Sequence, residues 1–288
     1  MLYPDRFEYA RPRDLGSAIE LISKVRNHLV IAGGTVGVLM LKRRVLRPEI
    51  VVDVARIPEL GGISLGGSGV ASIGATAHIS ELERATESST SPSSSLLSAA
   101  ARAVGDVALR SMGTVGGNVS LGDPSNDLPP ALMVLDAVAV IAGPGGVRRQ
   151  PVRSLYRGPL RTAMGPDELL TRVEFHEAPA RSSWYYGKRV IRSLDHSVAS
   201  AAALGSVVDG SPVDLRMALG GRAFAVPRAL DLEDLRGARP SAAVDEVVAR
   251  AKSACSCTSD AYGTAAYKSA VVESLVEDAM SALGVRAR

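Results

Sequence analysis

Aromatic rings and cysteines are scarce in these 288 residues, which hold one Trp, seven Tyr, three Phe and only Cys255 and Cys257. Two cysteines separated by a single residue are too few and too close for a disulfide framework. They also fall short of the four ligands that a structural zinc or an iron–sulfur cluster needs. They are read as structural residues beside a helix, in a reducing compartment. His28, His78, His176 and His196 are dispersed, and neither H-E-x-x-H nor G-x-S-x-G occurs, so no metal site and no catalytic acid, base or nucleophile is assigned to the chain. The shortage of rings bears on ligand binding. A protein that holds a flat cofactor by stacking uses aromatic residues for it, and here the backbone has to do much of the holding.

An excess of one charge is also missing. The 33 Lys and Arg against 30 Asp and Glu leave a net charge of +3. The basic residues are scattered, without the localised basic face and neighbouring rings that nucleic acid requires. No run approaches the about 18 apolar residues of a membrane span, and Pro4, Asp5 and Arg6 stand where a signal peptide has its apolar core. A cytoplasmic protein with no integral membrane segment is expected.

What is abundant is glycine, 28 residues of it, in a chain longer than the usual single domain of about 100 to 200 residues. Ala18, Leu21, Ile22 and Val25 fall at helical spacing after Asp14 or Ser17 as N-cap. An apolar run over 29–32, a Gly33-Gly34 turn, a helix over 36–44 and a strand over 50–54 complete an α/β unit. The pattern then changes to short strands with glycine turns over 61–67 and 71–74, and a helix from about Ser80. A mobile Ser-rich loop over 88–95, a helix over 96–104, a glycine turn at 116–118 and a helix over 128–135 come next, with strands over 137–142 and 170–175. A polar stretch over 177–183 is the domain boundary. Beyond it lie strands over 197–208 and 213–219 and helices over 242–254 and 267–283.

Two glycine clusters stand where one element hands over to the next: Ala32-Gly33-Gly34-Thr35-Val36 and Gly113-Thr114-Val115-Gly116-Gly117-Asn118. Glycine permits positive φ and lets backbone N–H groups approach an anion closely. Neither spacing is a dinucleotide fingerprint or a P-loop, yet a diphosphate has two phosphates, and two such turns can share it. Asp127 is an acceptor suited to a ribose hydroxyl, or else the N-cap of the next helix. Lys188 either offsets phosphate charge or is a solvated surface lysine.

These residues also carry a family resemblance. Ile31-Ala32-Gly33-Gly34-Thr35 with Lys42, Ile57-Pro58-Glu59-Leu60 and Ile73-Gly74-Ala75-Thr76 resemble the first FAD-binding half of the flavoprotein (medium) subunits of molybdenum hydroxylases. These are the subunits found in carbon monoxide dehydrogenase and xanthine dehydrogenase. Arg110-Ser111-Met112-Gly113-Thr114-Val115-Gly116-Gly117-Asn118, continued by Gly122-Asp123-Pro124-Ser125-Asn126-Asp127, resembles the second half. The resemblance implies an α+β fold: a two-part, PCMH-type (vanillyl-alcohol-oxidase-like) FAD-binding domain over 1–176, with subdomains of about 1–57 and 58–176. A smaller C-terminal α+β domain with a short antiparallel sheet and helices then covers 182–288.

It further implies FAD as cofactor, with Ala32, Gly33, Gly34, Thr35 and Val36 in one diphosphate loop and Thr114, Val115, Gly116, Gly117 and Asn118 in the other. Asp127 and Lys188 become polar contacts, and Met164 lies against the adenosine part. The implied function is electron transfer from an iron–sulfur subunit to an external acceptor. The implied assembly holds a molybdopterin-containing large subunit and a [2Fe–2S] small subunit, two copies of each of the three chains. Val36 replaces the family's common Ser, and Leu194-Asp195-His196 replaces Gly-Asp-Tyr, which puts His196 where relatives place a ring close to the flavin. A stand-alone FAD oxidase or dehydrogenase and a scaffold that has lost flavin stay open as alternatives.

Overall fold

In the computed structural model, which describes residues 3–66 and 69–286, Asp14 accepts the N–H of Ser17 at 2.8 Å and opens the first helix. The expected turn residue Gly67, and Met1 and Leu2 of the N-terminus, lie outside the described residues. Strand β1 (Glu8–Ala10), helix α1 (Leu15–Lys24), β2 (His28–Ile31), α2 (Gly37–Lys42) and β3 (Ile50–Asp53) form the first unit. Its three strands are parallel in the order β1-β3-β2. The central strand β3 is apolar without alternation because it is covered on both faces; Ile50 and Val52 pack with Ala18 and Ile22 of α1.

The next unit runs through β4 (Ile63–Ser64), β5 (Val70–Gly74), α3 (Ile79–Glu87), α4 (Pro92–Ala103), α5 (Val107–Met112), α6 (Val115–Ser120) and α7 (Leu128–Val134). It closes with β6 (Val138–Gly143), β7 (Gly146–Pro151), β8 (Tyr156–Gly158), β9 (Arg161–Thr162) and β10 (Leu169–His176). Five strands pair antiparallel in the order β4-β5-β10-β6-β7. Val173 and Phe175 of β10 point to a core shared with Leu82, Leu96, Leu97 and Leu132 of the helices. Arg172 and Glu174 alternate outward, and Glu174 pairs with both Arg172 and Arg149.

The structure corrects two expectations. The Ser-rich stretch is not a loop throughout: Ser91 caps α4 by accepting from Ser94 N at 3.1 Å, Pro92 takes the first turn, and Ser93 and Ser94 are buried. Ser followed by Pro is an N-cap and N1 pair, and that signal outweighs the loop-like composition. Residues 116–118 are not a turn but lie inside α6, begun by Thr114 as N-cap.

The last unit is an antiparallel sheet, β11 (Ser183–Arg189), β12 (Ala199–Val208), β13 (Ser211–Gly220) and β14 (Arg228–Ala229), in that order, with helices α8 (Pro240–Ala254) and α9 (Ala265–Ala282). Strand β12 is buried on both faces. Ala202 and Leu204 face the central core, while Ala201 and Ala203 face Val247, Leu275 and Val276 of the two helices. Small side chains let both layers approach the strand. Cys255 and Cys257 are joined as a disulfide, against the expectation drawn from their closeness; the one-residue gap still leaves their Cα atoms 5.2 Å apart, inside the range a disulfide spans. No helix among the described residues is long and apolar enough to cross a membrane, and no group of three His, Cys, Asp or Glu among them could hold a metal ion.

Candidate cofactor site

The first glycine cluster is where β2 gives way to α2. Gly34 takes a φ of +69°, which lets the chain turn without a Cβ in the way. Gly37 then brings the helix close to Ile31 and Leu29 of the strand it has just left. Val36 occupies the N-cap position and supplies no side-chain cap. Among the described residues, no acceptor takes the N–H groups of Gly33, Gly34, Thr35, Val36 or Gly37. A consecutive run of free N–H groups at the mouth of a cleft is a cradle for an anion.

The second cluster is brought against the first. A side chain at Gly33 would overlap the Met112 carbonyl oxygen and come within 3.0 Å of the Cα of Gly113. Its own N–H groups, however, are largely committed. Val115 N donates to Ala77 O at 2.9 Å, Gly116 N to Ala75 O at 2.8 Å, and Asn118 N to Thr114 O at 3.0 Å. Gly117 N donates to the Thr114 hydroxyl at 3.1 Å. The expectation of two equivalent backbone cradles is therefore corrected: the first cluster offers free N–H groups and the second builds a wall. Gly116 is small because α6 lies on Ala75, whose Cβ would stand 2.6 Å from any Cβ placed there.

Between them runs a cleft of about 430 Å³, within the usual size of a small-molecule site. Residues 32–36, Thr114, Gly117, Asn118, Asp127, Lys188 and His196 line it. Val115 and Gly116 are buried behind it, and Met164 does not reach it either, packing instead at the edge of the central core. A larger cavity, about 1180 Å³, lies elsewhere beside β13. Arg216 there is paired with Asp136 and Asp214.

Asp127 stands at the N-cap position of α7 but makes no capping bond. Its carboxylate accepts from the Tyr186 hydroxyl at 2.7 Å and from Lys188 Nζ at 3.2 Å. Lys188 is accordingly not a solvated lysine; it also donates to the carbonyl of Ala103 at the end of α4. Burial pushes the Asp127 carboxyl above the usual carboxylate range, against the opposing pull of Lys188, Tyr186 and His196. Burial, with Asp127 beside it, holds the Tyr186 hydroxyl well above its ordinary value. Tyr186 was not among the expected site residues. The signal for it was the strand period in Trp184-Tyr185-Tyr186-Gly187-Lys188, which puts Tyr186 and Lys188 on one face of β11.

His196 sits in the turn after β11, its N–H donating to Asp195 Oδ1 at 2.9 Å and its Nδ1 lying 2.9 Å from Ser125 Oγ. Asn118 Oδ1 accepts from Leu128 N at 3.3 Å and its carbonyl accepts from the Asn126 amide, which ties α6 to the start of α7.

An N–H cradle leading to a buried acid–lysine pair, in a cleft with few rings, is a set of groups suited to a diphosphate-bridged cofactor. Comparison with known proteins makes this specific. The family described as the FAD binding domain in molybdopterin dehydrogenase matches residues 5–176, and the CO dehydrogenase flavoprotein C-terminal domain matches residues 184–283. The carbon monoxide dehydrogenase medium chain of Afipia carboxidovorans is 31% identical over 100% of both chains. The glyceraldehyde dehydrogenase medium chain of Sulfolobus acidocaldarius is 30% identical over 95% of this chain and 97% of the relative. A crystal structure of Cu,Mo-CO dehydrogenase superposes with a TM-score of 0.90 at 28% identity, covering 98% of each chain. The chain belongs to the FAD-binding medium-subunit family of molybdopterin dehydrogenases. It is an oxidoreductase subunit with the family's α+β, PCMH-type fold, and FAD is its cofactor.

Proposed function

We propose that this chain is the electron-transfer subunit of a molybdenum-containing hydroxylase or dehydrogenase, taking electrons from an iron–sulfur subunit and passing them through FAD to an external acceptor. The observation that carries the reading is the run of free N–H groups over 33–37, facing the 113–118 wall in one cleft with Asp127 and Lys188. The partners in this reading are a molybdopterin-containing large subunit and a [2Fe–2S] small subunit, two copies of each of the three chains. It divides the chain into a cofactor-binding part over 1–176 and a second part over 182–288. The organic substrate is bound elsewhere in the complex, which agrees with relatives named for substrates as different as carbon monoxide and glyceraldehyde.

FAD supplies one- and two-electron redox chemistry that no side chain here provides. The chain's own residues bind and orient. The N–H groups of 33–37 hold the diphosphate, and Gly33 keeps the two loops in contact around it. Asn118 and the remaining acceptor capacity of Asp127 take hydroxyl groups of the cofactor. Lys188 compensates Asp127 and is held by Ala103, so it does not serve as a free counter-ion to phosphate.

That arrangement has a measurable consequence. With the diphosphate held by neutral donors, raising salt from about 0.05 to about 0.5 M is expected to weaken FAD affinity by less than about threefold. Flavin fluorescence titrations at the two salt concentrations measure it; a strong salt dependence would put a cationic side chain at the diphosphate instead. The reading as a whole is tested by purifying the chain from its native source and measuring flavin, molybdenum and iron in what co-purifies. Flavin without metals or partners would favour a stand-alone flavoenzyme.

A further inference from the structure

Ser125 has one hydroxyl hydrogen and two neighbours that compete for it. Asp123 Oδ1 lies 2.6 Å from Ser125 Oγ and also accepts the Ser125 N–H at 2.9 Å. His196 Nδ1 lies 2.9 Å from the same Oγ. The carboxylate can only accept, so the hydroxyl hydrogen goes to Asp123, and toward His196 the oxygen is left as an acceptor. The hydrogen in the second contact must then be on Nδ1. Ser125 is buried, while His196 is exposed and lines the cleft, with no partner for Nε2 among the described residues.

We propose that Asp123 and Ser125 are positioning residues for His196. They fix its neutral ring with the proton on Nδ1, so that Nε2 faces the cleft as a proton acceptor toward the bound flavin. This rests on the reading of the cleft as the FAD site. With an external acceptor that takes electrons without hydrogen, the single proton that a reduced, singly protonated flavin would release passes to Nε2; a hydride acceptor would carry that proton away with the electrons and leave the ring neutral. On taking the proton the imidazole becomes imidazolium, and the Nδ1–H bond to Ser125 is unchanged. The reverse transfer returns the proton when two electrons arrive from the iron–sulfur partner.

The charges that face the ring come from every segment packed on it. They are Asp195 on its own turn, Asp123 and Asp127 on the segment before α7, Lys188 on β11, and Arg222, whose guanidinium lies 3.9 Å from Asp123. Lys188 and Arg222 each lie against one of those carboxylates, Lys188 on Asp127 and Arg222 on Asp123. The arrangement differs from a Ser-His-Asp nucleophile triad because the hydroxyl lies between the acid and the imidazole and donates to the acid.

Two measurements on the full chain test this. In 15N-resolved NMR of histidine-labelled protein, neutral His196 is expected as the Nδ1–H tautomer. In Ser125→Ala, which deletes one atom, the tautomer ratio is expected to shift about fivefold toward Nε2–H, the size of one ordinary hydrogen bond. An Nε2–H tautomer in the wild type, or a ratio unmoved by Ser125→Ala, would overturn the proposal. In flavin-loaded protein, the plot of midpoint potential against pH is expected to bend at the pH where NMR finds His196 titrating. The bend should be lost in His196→Gln, a change at an exposed position; its persistence there would remove His196 as proton acceptor. Failure of the FAD reading looks different: no flavin is taken up, while the tautomer and its response to Ser125→Ala are unaffected.

Discussion

Gly33→Ala should weaken FAD binding by about thirtyfold or more while leaving the protein folded. The methyl group would be driven into the Met112 carbonyl, which is backbone and cannot rotate aside. Relief requires the 33–37 loop to back away from the 112–114 segment, opening the cradle. Overpacking of this kind costs about 2 kcal/mol, which is about thirtyfold in Kd if it falls on the bound geometry. Gly116→Ala is the contrasting variant. Its Cβ would meet Ala75 behind the cleft, so unfolding stability should fall by about 1 to 3 kcal/mol while flavin affinity stays within about threefold. Denaturant unfolding and flavin titration separate the two, and equal losses of affinity would return Gly116 to the binding surface.

Lys188→Met should cost about 3 to 5 kcal/mol of stability, because it leaves the buried Asp127 carboxylate without its cation. Both side chains are largely shielded from solvent, so screening relieves little of this. The double variant Asp127→Asn with Lys188→Met should recover most of the loss, since the charge that needs compensation is gone. The pH dependence has a defined sign. A carboxyl whose folded pKa is raised favours the folded state below the ordinary carboxylate value of about 4, and that contribution is lost as pH rises through the folded value. The deficit of Lys188→Met should therefore grow with pH over that interval and flatten in the double variant. Urea unfolding at a series of pH values measures it; a deficit independent of pH would mean that Asp127 is not the group left exposed to the loss.

The residues that were legible from the chain alone are those whose role is written in local chemistry. Two glycine clusters at junctions between elements single out Gly33 and Gly34, whereas Asp127 and Lys188 come to the cleft only through the family resemblance, and their pairing is not foreseen. What hid the remainder was tertiary. Gly116 and Gly33 look alike in the sequence, and only the position of Ala75 decides that one has its N–H occupied and the other does not. Ser91 to Ser94 read as a loop by composition, but Ser91 caps α4 and the Ser93 hydroxyl accepts the N–H of Ala178, a partner 85 residues away. Met164 was carried to the cofactor by resemblance, whereas the loop from 163 to 168 is held by Arg148 and Glu168 at the edge of the five-stranded sheet. Strand β11 is hidden in the sequence because the polar stretch over 177–183 runs into its first residue, Ser183.

Helix α4 is fastened at both ends to the chain beyond residue 176. Its first turn holds Glu177 through Ser91 and Ala178 through Ser93, and its last carbonyl, that of Ala103, holds Lys188. Twelve helical residues make a rod of about 18 Å, and a rod pinned at two points resists both hinging and sliding of the strand it carries. The segment that leads into β11 and the lysine beside the cleft are thereby kept at a set separation, in the way a strut keeps a frame square. A change at Ser93, remote from the cleft, would loosen one pin and be felt at Lys188.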